Sequence, residues 1–148
     1  RGGRVTLLEV TARGRKILKK KGVEPPSRPT GGGWEHRLAA QLIKCAGKDN
    51  GYSVDFEVDL GPVRVDVRWT DKQGDKVYLN IGISRSDREA KKALQAVGLQ
   101  AVDGRFVLVC RDTSFKKKVE KKLKQEDSSG RRRQKVQLRL IGDFLDSS

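Results

Sequence analysis

Two polar positions on neighbouring predicted strands carry the pattern most typical of chemistry in this sequence. Asp66 lies within the alternating run Val63–Trp69, and Asn80 lies fourteen residues later within Val77–Ser84. Apolar and polar residues alternate in both runs, so each of the two side chains falls on the polar face of its strand. That spacing is enough for the rest of one strand, a turn and the return. It predicts that Asp66 and Asn80 meet on adjacent strands.

Carboxylate oxygens at such a position suit a hard metal ion. One or two Mg²⁺ or Mn²⁺ ions held by carboxylates can activate water for phosphodiester hydrolysis. Asp66 supplies one carboxylate, and Asn80 supplies only a neutral carbonyl oxygen. Glu57, from the preceding alternating run, and Glu89, from the next predicted helix, are acids that could complete the set. Two interpretations stay open: a metal site formed by Asp66 and Glu57, or a surface Asp66 that pairs with a neighbouring arginine.

A helix, three strands, a second helix and a fourth strand must position these residues. Their periodicities predict an α/β fold with a mixed β-sheet flanked by helices. The last strand is a short, β-branched apolar run, which is typical of a strand buried on both faces and parallel to its neighbour. The predicted elements are Trp34–Ala46, Tyr52–Leu60, Val63–Trp69, Val77–Ser84, Ser86–Val97 and Phe106–Cys110.

This order resembles the αβββαβ core of the restriction-endonuclease-like, PD-(D/E)XK nucleases, and the resemblance covers residues 34–110. In that family an acid on the first helix, an Asp on the second strand and a Glu-x-Lys on the third strand form the catalytic site. Glu35 and Asp66 match the first two, whereas the Glu and Lys positions fall on Asn80 and Gly82. The resemblance implies a degenerate catalytic set of Glu35, Asp66 and Asn80. No cofactor is expected, and Mg²⁺ or Mn²⁺ is implied only if the site is active.

Positive charge is concentrated in two segments outside the predicted sheet. The net charge is +14; residues 1–37 carry ten Lys or Arg against three Asp or Glu, and residues 111–135 carry eleven against four. Residues 38–110 are almost balanced. Contacts between these cations and phosphates release counterions and supply most non-specific affinity for nucleic acid. The distribution predicts DNA as the partner; a solubilising surface is the alternative.

The predicted phosphate contacts lie on two helices and in one loop. A helix Ser114–Gln125 places Phe115, Val119 and Leu123 at i, i+4 and i+8, which leaves its other face to lysines. A flexible break at 127–130 precedes three arginines. Few aromatic residues are free to stack on bases, so low sequence specificity is expected. The predicted nucleic-acid-binding residues are Arg13, Arg15, Lys16, Lys19, Lys20, Lys116, Lys117, Lys118, Lys121, Arg131, Arg132 and Arg133.

The first predicted domain, residues 1–24, is a basic arm. Arg4–Val10 is predicted to form a strand, and Thr11 can cap the helix that follows. The alternative is a basic amphipathic helix that packs on the main domain through Ile17 and Leu18. The order of strand and helix resembles the end of a winged helix in the residues Thr11, Gly14, Arg15 and Leu18.

Composition divides the rest of the chain. Residues 25–33 are rich in Pro and Gly and are predicted to be a linker, and residues 34–148 are predicted to be the nuclease-like domain.

Cys45 and Cys110 lie in apolar stretches, which is typical of buried, reduced thiols in a cytoplasmic protein. The single histidine, His36, cannot complete a zinc set with them, and a minor role in the active site stays open for it. No apolar run is long enough to span a membrane.

These patterns favour a DNA-binding, nuclease-like module without catalytic activity. Because the chain contains no Met, we expect it to be excised from a larger DNA-processing or DNA-transfer protein. An active metal-dependent endonuclease and a protein-interaction scaffold for an acidic partner are the alternatives. The resemblance also implies that replacing Asn80 by Glu together with Gly82 by Lys restores metal binding.

Overall fold

The computed structural model describes residues 7–22 and 33–145, which leaves residues 25–32 of the predicted linker outside the described part. It has the predicted α/β class. Within those ranges, no helix has the length and apolar character needed to cross a membrane. Two short 3₁₀ turns, Arg133–Lys135 and Ile141–Phe144, flank the last strand. The helices and strands are α1 Leu7–Lys20, α2 Trp34–Asp49, β1 Ser53–Asp59, β2 Arg64–Thr70, β3 Lys76–Gly82, α3 Ser86–Val97, β4 Arg105–Cys110, α4 Thr113–Glu126 and β5 Val136–Leu140.

Five strands form one mixed sheet in the order β1-β2-β3-β4-β5. The first three are antiparallel neighbours, β4 runs parallel to β3, and β5 runs parallel to β4. Phe106–Cys110 of β4 is buried along its whole length. The predicted three-strand meander and the buried, parallel fourth strand are therefore confirmed.

The sheet separates two apolar clusters. On one face, Leu42 of α2 and Leu18 of α1 pack with Val107 of the sheet. On the other face, Val119 of α4 and residues of α3 pack with Leu108. Two helices therefore cover each face, α1 and α2 on one side and α3 and α4 on the other.

The alternation of β1 and β2 predicts one apolar face for each strand, and the structure does not follow it. In β2, Val67 and Trp69 belong to the α1–α2 cluster, whereas Val65 belongs to the α3–α4 cluster, as does Val63 just before the strand. Phe56, which shares the apolar phase of β1 with Val54 and Val58, is 40% exposed. The single-face prediction is wrong for these two strands.

The change of side occurs at one level of the sheet, beside Asp66. Glu57 lies next to Asp66 across the β1–β2 hairpin and has a φ of 50°, a left-handed conformation that is uncommon outside glycine. The pairing of β2 with β3 ends at the Val67–Leu79 pair. Beyond it, the β1–β2 hairpin turns its apolar residues to the other side. A period-two pattern assumes one continuous pleat, so it gives no signal for such a change.

The N-terminal segment differs from the winged-helix-like prediction. The predicted strand Arg4–Val10 is helical from Leu7 onward, its first three residues lie outside the described ranges, and Thr11 lies inside α1 instead of capping it. Leu18 is fully buried in the α1–α2 cluster. Burial of that leucine fixes α1 against α2, in agreement with the alternative of a helix that packs on the main domain.

α4 follows the predicted pattern except at its first residues. Oδ1 of Asp112 accepts a hydrogen bond from the backbone N–H of Phe115 at 2.8 Å, so Asp112 and not Ser114 caps the helix. Phe115, Val119 and Leu123 are buried in the α3–α4 cluster, as their spacing predicts. The lysines therefore occupy the solvent side of α4.

Candidate functional site

Four polar side chains connect α2, β2, β3 and α3 at the point where β2 and β3 separate. We term this group the polar junction; it consists of His36, Asp66, Asn80 and Glu89. His36 Nε2 lies 3.1 Å from Asp66 Oδ1. The Asn80 side-chain amide donates to Glu89 Oε1 at 3.2 Å, and its carbonyl oxygen accepts from the Asp66 backbone N–H at 3.2 Å. Asp66 Oδ2 accepts from the Ile81 N–H at 2.8 Å. The predicted meeting of Asp66 and Asn80 on adjacent strands is confirmed.

Asp66 and Asn80 complete the sheet at the end of the β2–β3 ladder. After the last regular pair, Val67 with Leu79, the backbone N–H groups of Asp66 and Ile81 bond to side-chain oxygens instead of strand carbonyls. Backbone N–H groups that leave water need such partners. The two side chains therefore have a structural role where the hairpin bends.

The side chain at position 80 has to be an amide to make these contacts. Asn80 is 1% exposed and is the one buried polar side chain among the described residues. It accepts through its carbonyl oxygen and donates through its NH₂ group, which a carboxylate cannot do. A glutamate at Asn80 would set a second carboxylate against Glu89. The network thus favours an amide at this position over the carboxylate of the nuclease resemblance.

Gly82, at the lysine position of the resemblance, has no room for a side chain. A Cβ atom at Gly82 would lie 2.7 Å from Cε1 of Phe115. Phe115 is 4% exposed and packs in the α3–α4 cluster, so it cannot easily move away. The expected restoration of a metal site by Asn80→Glu with Gly82→Lys therefore meets a steric obstacle.

A cavity of about 650 Å³ opens beside the junction, and its lining includes His36, Asp66, Glu89 and Glu57. Glu57 Oε1 lies 3.6 Å from the Arg64 guanidinium, and both side chains are mostly exposed. Glu35, the helix acid of the resemblance, does not line this cavity, whereas its neighbour His36 does. Across residues 7–22 and 33–145, no three His, Cys, Asp or Glu side chains come together as a metal-binding group. Asp66 and Glu57, the two residues predicted as metal ligands if the site is active, line the same cavity.

Charges in the junction are held by partners within the fold. The hydrogen bond to Asp66 raises the pKa of His36, which favours the imidazolium beside that carboxylate. Burial raises the pKa of Glu89, and the Asn80 amide donates to its carboxyl group. His36 received only a minor role from the sequence. The arginines beside Asp66 in the sequence, Arg64 and Arg68, pair with Glu57 and Asp55 instead, so the sequence carried no signal for the His36–Asp66 contact.

The α4 surface, formed by α4 lysines and the arginines that follow, concentrates unpaired positive charge. Residues 113–135 carry ten Lys or Arg against three Asp or Glu. Among the described residues, Lys122 is the α4 lysine with an ion pair, at 3.2 Å from Glu126. The predicted contacts on this surface are exposed, apart from half-buried Lys116 and Arg133. They are Lys116, Lys117, Lys118, Lys121, Arg131, Arg132 and Arg133.

A hydrogen-bonded turn holds the three arginines at the end of α4. Asp127 Oδ2 accepts from the N–H groups of Arg132 and Arg133 at 2.9 and 2.8 Å. The Ser129 hydroxyl donates to Asp127 Oδ1 at 2.9 Å. These bonds, that of Arg133 foremost, lower the pKa of Asp127. The segment predicted as a flexible break is instead an Asp-centred turn, for which the Asp, Ser and Gly of the sequence were a usable signal.

The other predicted contacts lie on α1, across the sheet from α4. Arg13, Lys16, Lys19 and Lys20 are exposed, and the side chain of Arg15 lies outside the described part. α1 packs with the α1–α2 cluster and α4 with the α3–α4 cluster. The sequence analysis lists all of these cations together as nucleic-acid-binding residues, and the structure places them on two surfaces on opposite sides of the sheet.

No protein-family model matches this chain, and no curated protein matches it either. The chemistry of the described groups is therefore the basis for assigning a function. The junction offers one central carboxylate with both oxygens occupied by protein partners. The α4 surface offers exposed cations that can bond to an external anion.

Proposed function

We propose that this chain is a DNA-binding module with a nuclease-like fold. The observation that carries the proposal is the α4 surface, where Lys117, Lys118 and Lys121 are exposed and have no ion pair among the described residues. Lysines in that state bind phosphate oxygens and release counterions. The resemblance of the helix and strand order to PD-(D/E)XK nucleases supports DNA as the polyanion.

Neighbouring elements extend the α4 surface. α3 packs against α4 and carries the exposed cations Arg88 and Lys91. Lys91 and Arg132 line the same small cleft between α3 and the Asp127 turn. Cations therefore continue from α4 across the turn to α3, which suits a partner with a repeating negative charge.

The proposed mode of binding is contact with the DNA backbone. Phosphate contacts position a protein on DNA without reading its sequence. Phe56 is the one exposed large apolar side chain in the described ranges, and it lies on β1 instead of the α4 surface. The described α4 surface thus offers no aromatic ring on which a base can stack, so binding with little sequence preference is expected.

We also propose a cytoplasmic location, because both cysteines are free and buried. Burial raises the pKa of the Cys110 thiol to about 12, so this thiol stays protonated and unreactive. Buried thiols without a disulfide partner are typical of a reducing compartment.

The test of DNA binding is a salt titration with a short fluorescent duplex, followed by anisotropy. Each phosphate contact lowers the log–log slope of affinity against salt by about 0.9. We expect micromolar-order binding with a slope of several units. An affinity that does not change with salt would contradict DNA binding, and retention on an acidic polypeptide would then favour the scaffold alternative.

An active metal-dependent endonuclease is the second candidate, and the cavity shared by Asp66, Glu57 and Glu89 is the observation that favours it. Incubation of linear, supercoiled and branched DNA with Mg²⁺ or Mn²⁺ distinguishes the two. We expect no cleavage, because Asn80 and Gly82 replace the carboxylate and the lysine of the resemblance. Metal-dependent cleavage that disappears in Asp66→Ala would establish the nuclease instead.

A further inference from the structure

α1 presents a stripe of cations to solvent. Arg13, Lys16 and Lys20 recur at helical spacing, Lys19 lies beside them, and all four are exposed. Lys21, just after the helix, forms an ion pair with Asp49 of α2. In the described part of the chain, Lys16, Lys19 and Lys20 have no such partner. These three lysines are therefore open to an external anion, as the exposed lysines of the α4 surface are.

α1 is held in the fold and keeps its stripe in a defined direction. Leu18, on the opposite side of the helix, is fully buried in the α1–α2 cluster. A Cβ atom at Gly14 would lie 3.1 Å from Cδ1 of Leu42, so the two helices approach closely at that glycine. The cations of α1 therefore point away from α2 and away from the sheet.

The sheet and a layer of helices on each side separate the α1 stripe from the α4 surface. Each helix with its side chains is about 10 Å across, so the two surfaces lie well over 20 Å apart. A straight duplex along α4 therefore does not reach α1. The separation also exceeds the screening length of about 8 Å at physiological salt, so two DNA segments on opposite faces repel each other little.

We propose that this protein bridges two DNA segments, one bound by the α4 surface and the other by the α1 stripe. The proposal rests on the proposed DNA binding and adds a second, independent phosphate-binding surface. This surface is the weaker of the two, because α1 carries four exposed cations against seven predicted contacts on the α4 surface.

A capture experiment tests bridging: one duplex is fixed to beads, and a fluorescent duplex is retained only if the protein holds both. The α1 variant removes the stripe by replacing three lysines with glutamate: Lys16, Lys19 and Lys20. The control variant makes the same change in charge elsewhere by replacing Lys48, Lys72 and Arg105 with glutamate. For the α1 variant we expect capture to fall at least tenfold. Its affinity for a single duplex, measured by anisotropy, should change less than threefold. The control should capture like the unaltered protein, and unchanged melting shows that both variants are folded.

The outcomes separate bridging from DNA binding itself. Full capture by the α1 variant would overturn the α1 stripe as the second site and would indicate a dimer that uses two α4 surfaces. Capture lost equally in the charge-matched control would overturn the proposal in favour of a general effect of net charge. If the unaltered protein binds single duplexes but captures none, bridging fails and DNA binding stands. If it binds no duplex, both fail. Should the Glu variant melt early, Lys16, Lys19 and Lys20→Gln repeats the test with a smaller change.

Discussion

The polar junction and the α4 surface are both rich in charge, and they use it in opposite ways. In the junction, His36 and the N–H of Ile81 occupy the two oxygens of Asp66. On α4, Lys117 and Lys118 are exposed, and no ion pair to either is present among the described residues. Groups that are satisfied within the fold stabilise it, and groups left open to solvent are available to an external partner. The presence or absence of pairing within the fold therefore indicates where a partner binds better than the number of charges does.

The largest expected effect comes from the buried side of α4, on which its exposed lysines depend. Val119 is 0% exposed in the α3–α4 cluster. Val119→Asp buries an unpaired carboxylate, at a cost of several kcal/mol against a typical total stability of about 5–15 kcal/mol. We expect loss of the cooperative thermal transition in circular dichroism. Lys118→Asp, one residue away on the exposed side, is the control and should melt nearly as the unaltered protein does. A normal transition for Val119→Asp would show that α4 is detached from the sheet.

A smaller effect is expected in the junction, and it should be on stability alone. Asp66→Ala leaves the Ile81 N–H without its acceptor and removes the partner of His36, so we expect a loss of about 1–3 kcal/mol in urea unfolding. DNA affinity should stay within about twofold, because the α4 surface is intact. Asp55→Ala, which removes a surface pair with Arg68 at 3.1 Å, is the control and should cost less than about 1 kcal/mol. Loss of DNA binding at unchanged stability would make the junction a DNA site.

The smallest expected effect is a pH dependence from His36. Its pKa is raised from 6.5 by Asp66, so the pair stabilises the fold fully below pH 6.5. That contribution is lost as the pH rises through the raised pKa. The His36 side chain is 41% exposed, so we expect a difference on the order of 1 kcal/mol or less.

The free energy of unfolding of the unaltered protein and of His36→Gln, measured from about pH 5.5 to 8.5, checks this difference. The two curves should converge as the pH rises. Glu89, whose pKa is also raised, and Lys92 beside it are present in both proteins. Their contributions to the pH dependence therefore largely cancel in the difference between the two unfolding free energies. A difference that stays constant across this range would show that the His36–Asp66 contact is not ionic.

Periodicity predicted the parts of the fold that repeat regularly. The positions of the first four strands, the buried β4 and the apolar side of α4 around Val119 follow from spacings that the sequence carries directly. The meeting of Asp66 and Asn80 was predictable for the same reason. Their partners were not, because His36 and Glu89 come from two helices whose orientation depends on packing across the whole sheet.

Two features lay beyond the sequence pattern for separate physical reasons. The change of face in β1 depends on the left-handed backbone at Glu57, which periodicity does not encode. The start of α1 reads as a strand because Val and Thr favour extended backbone, but burial of Leu18 against α2 stabilises a helix there. Tertiary packing decided both, and it also placed the basic residues of α1 and α4 on opposite faces.

The most direct test of DNA binding by the α4 surface compares two triple charge reversals in one salt titration. The α4 variant replaces three exposed lysines with glutamate: Lys117, Lys118 and Lys121. The control makes the same change in charge at other exposed positions by replacing Lys48, Lys72 and Arg105 with glutamate. We predict that the α4 variant loses at least tenfold in affinity and about three units of log–log salt slope, while the control keeps most of its slope. Equal losses in the two variants, or none in the α4 variant, would contradict binding at this surface.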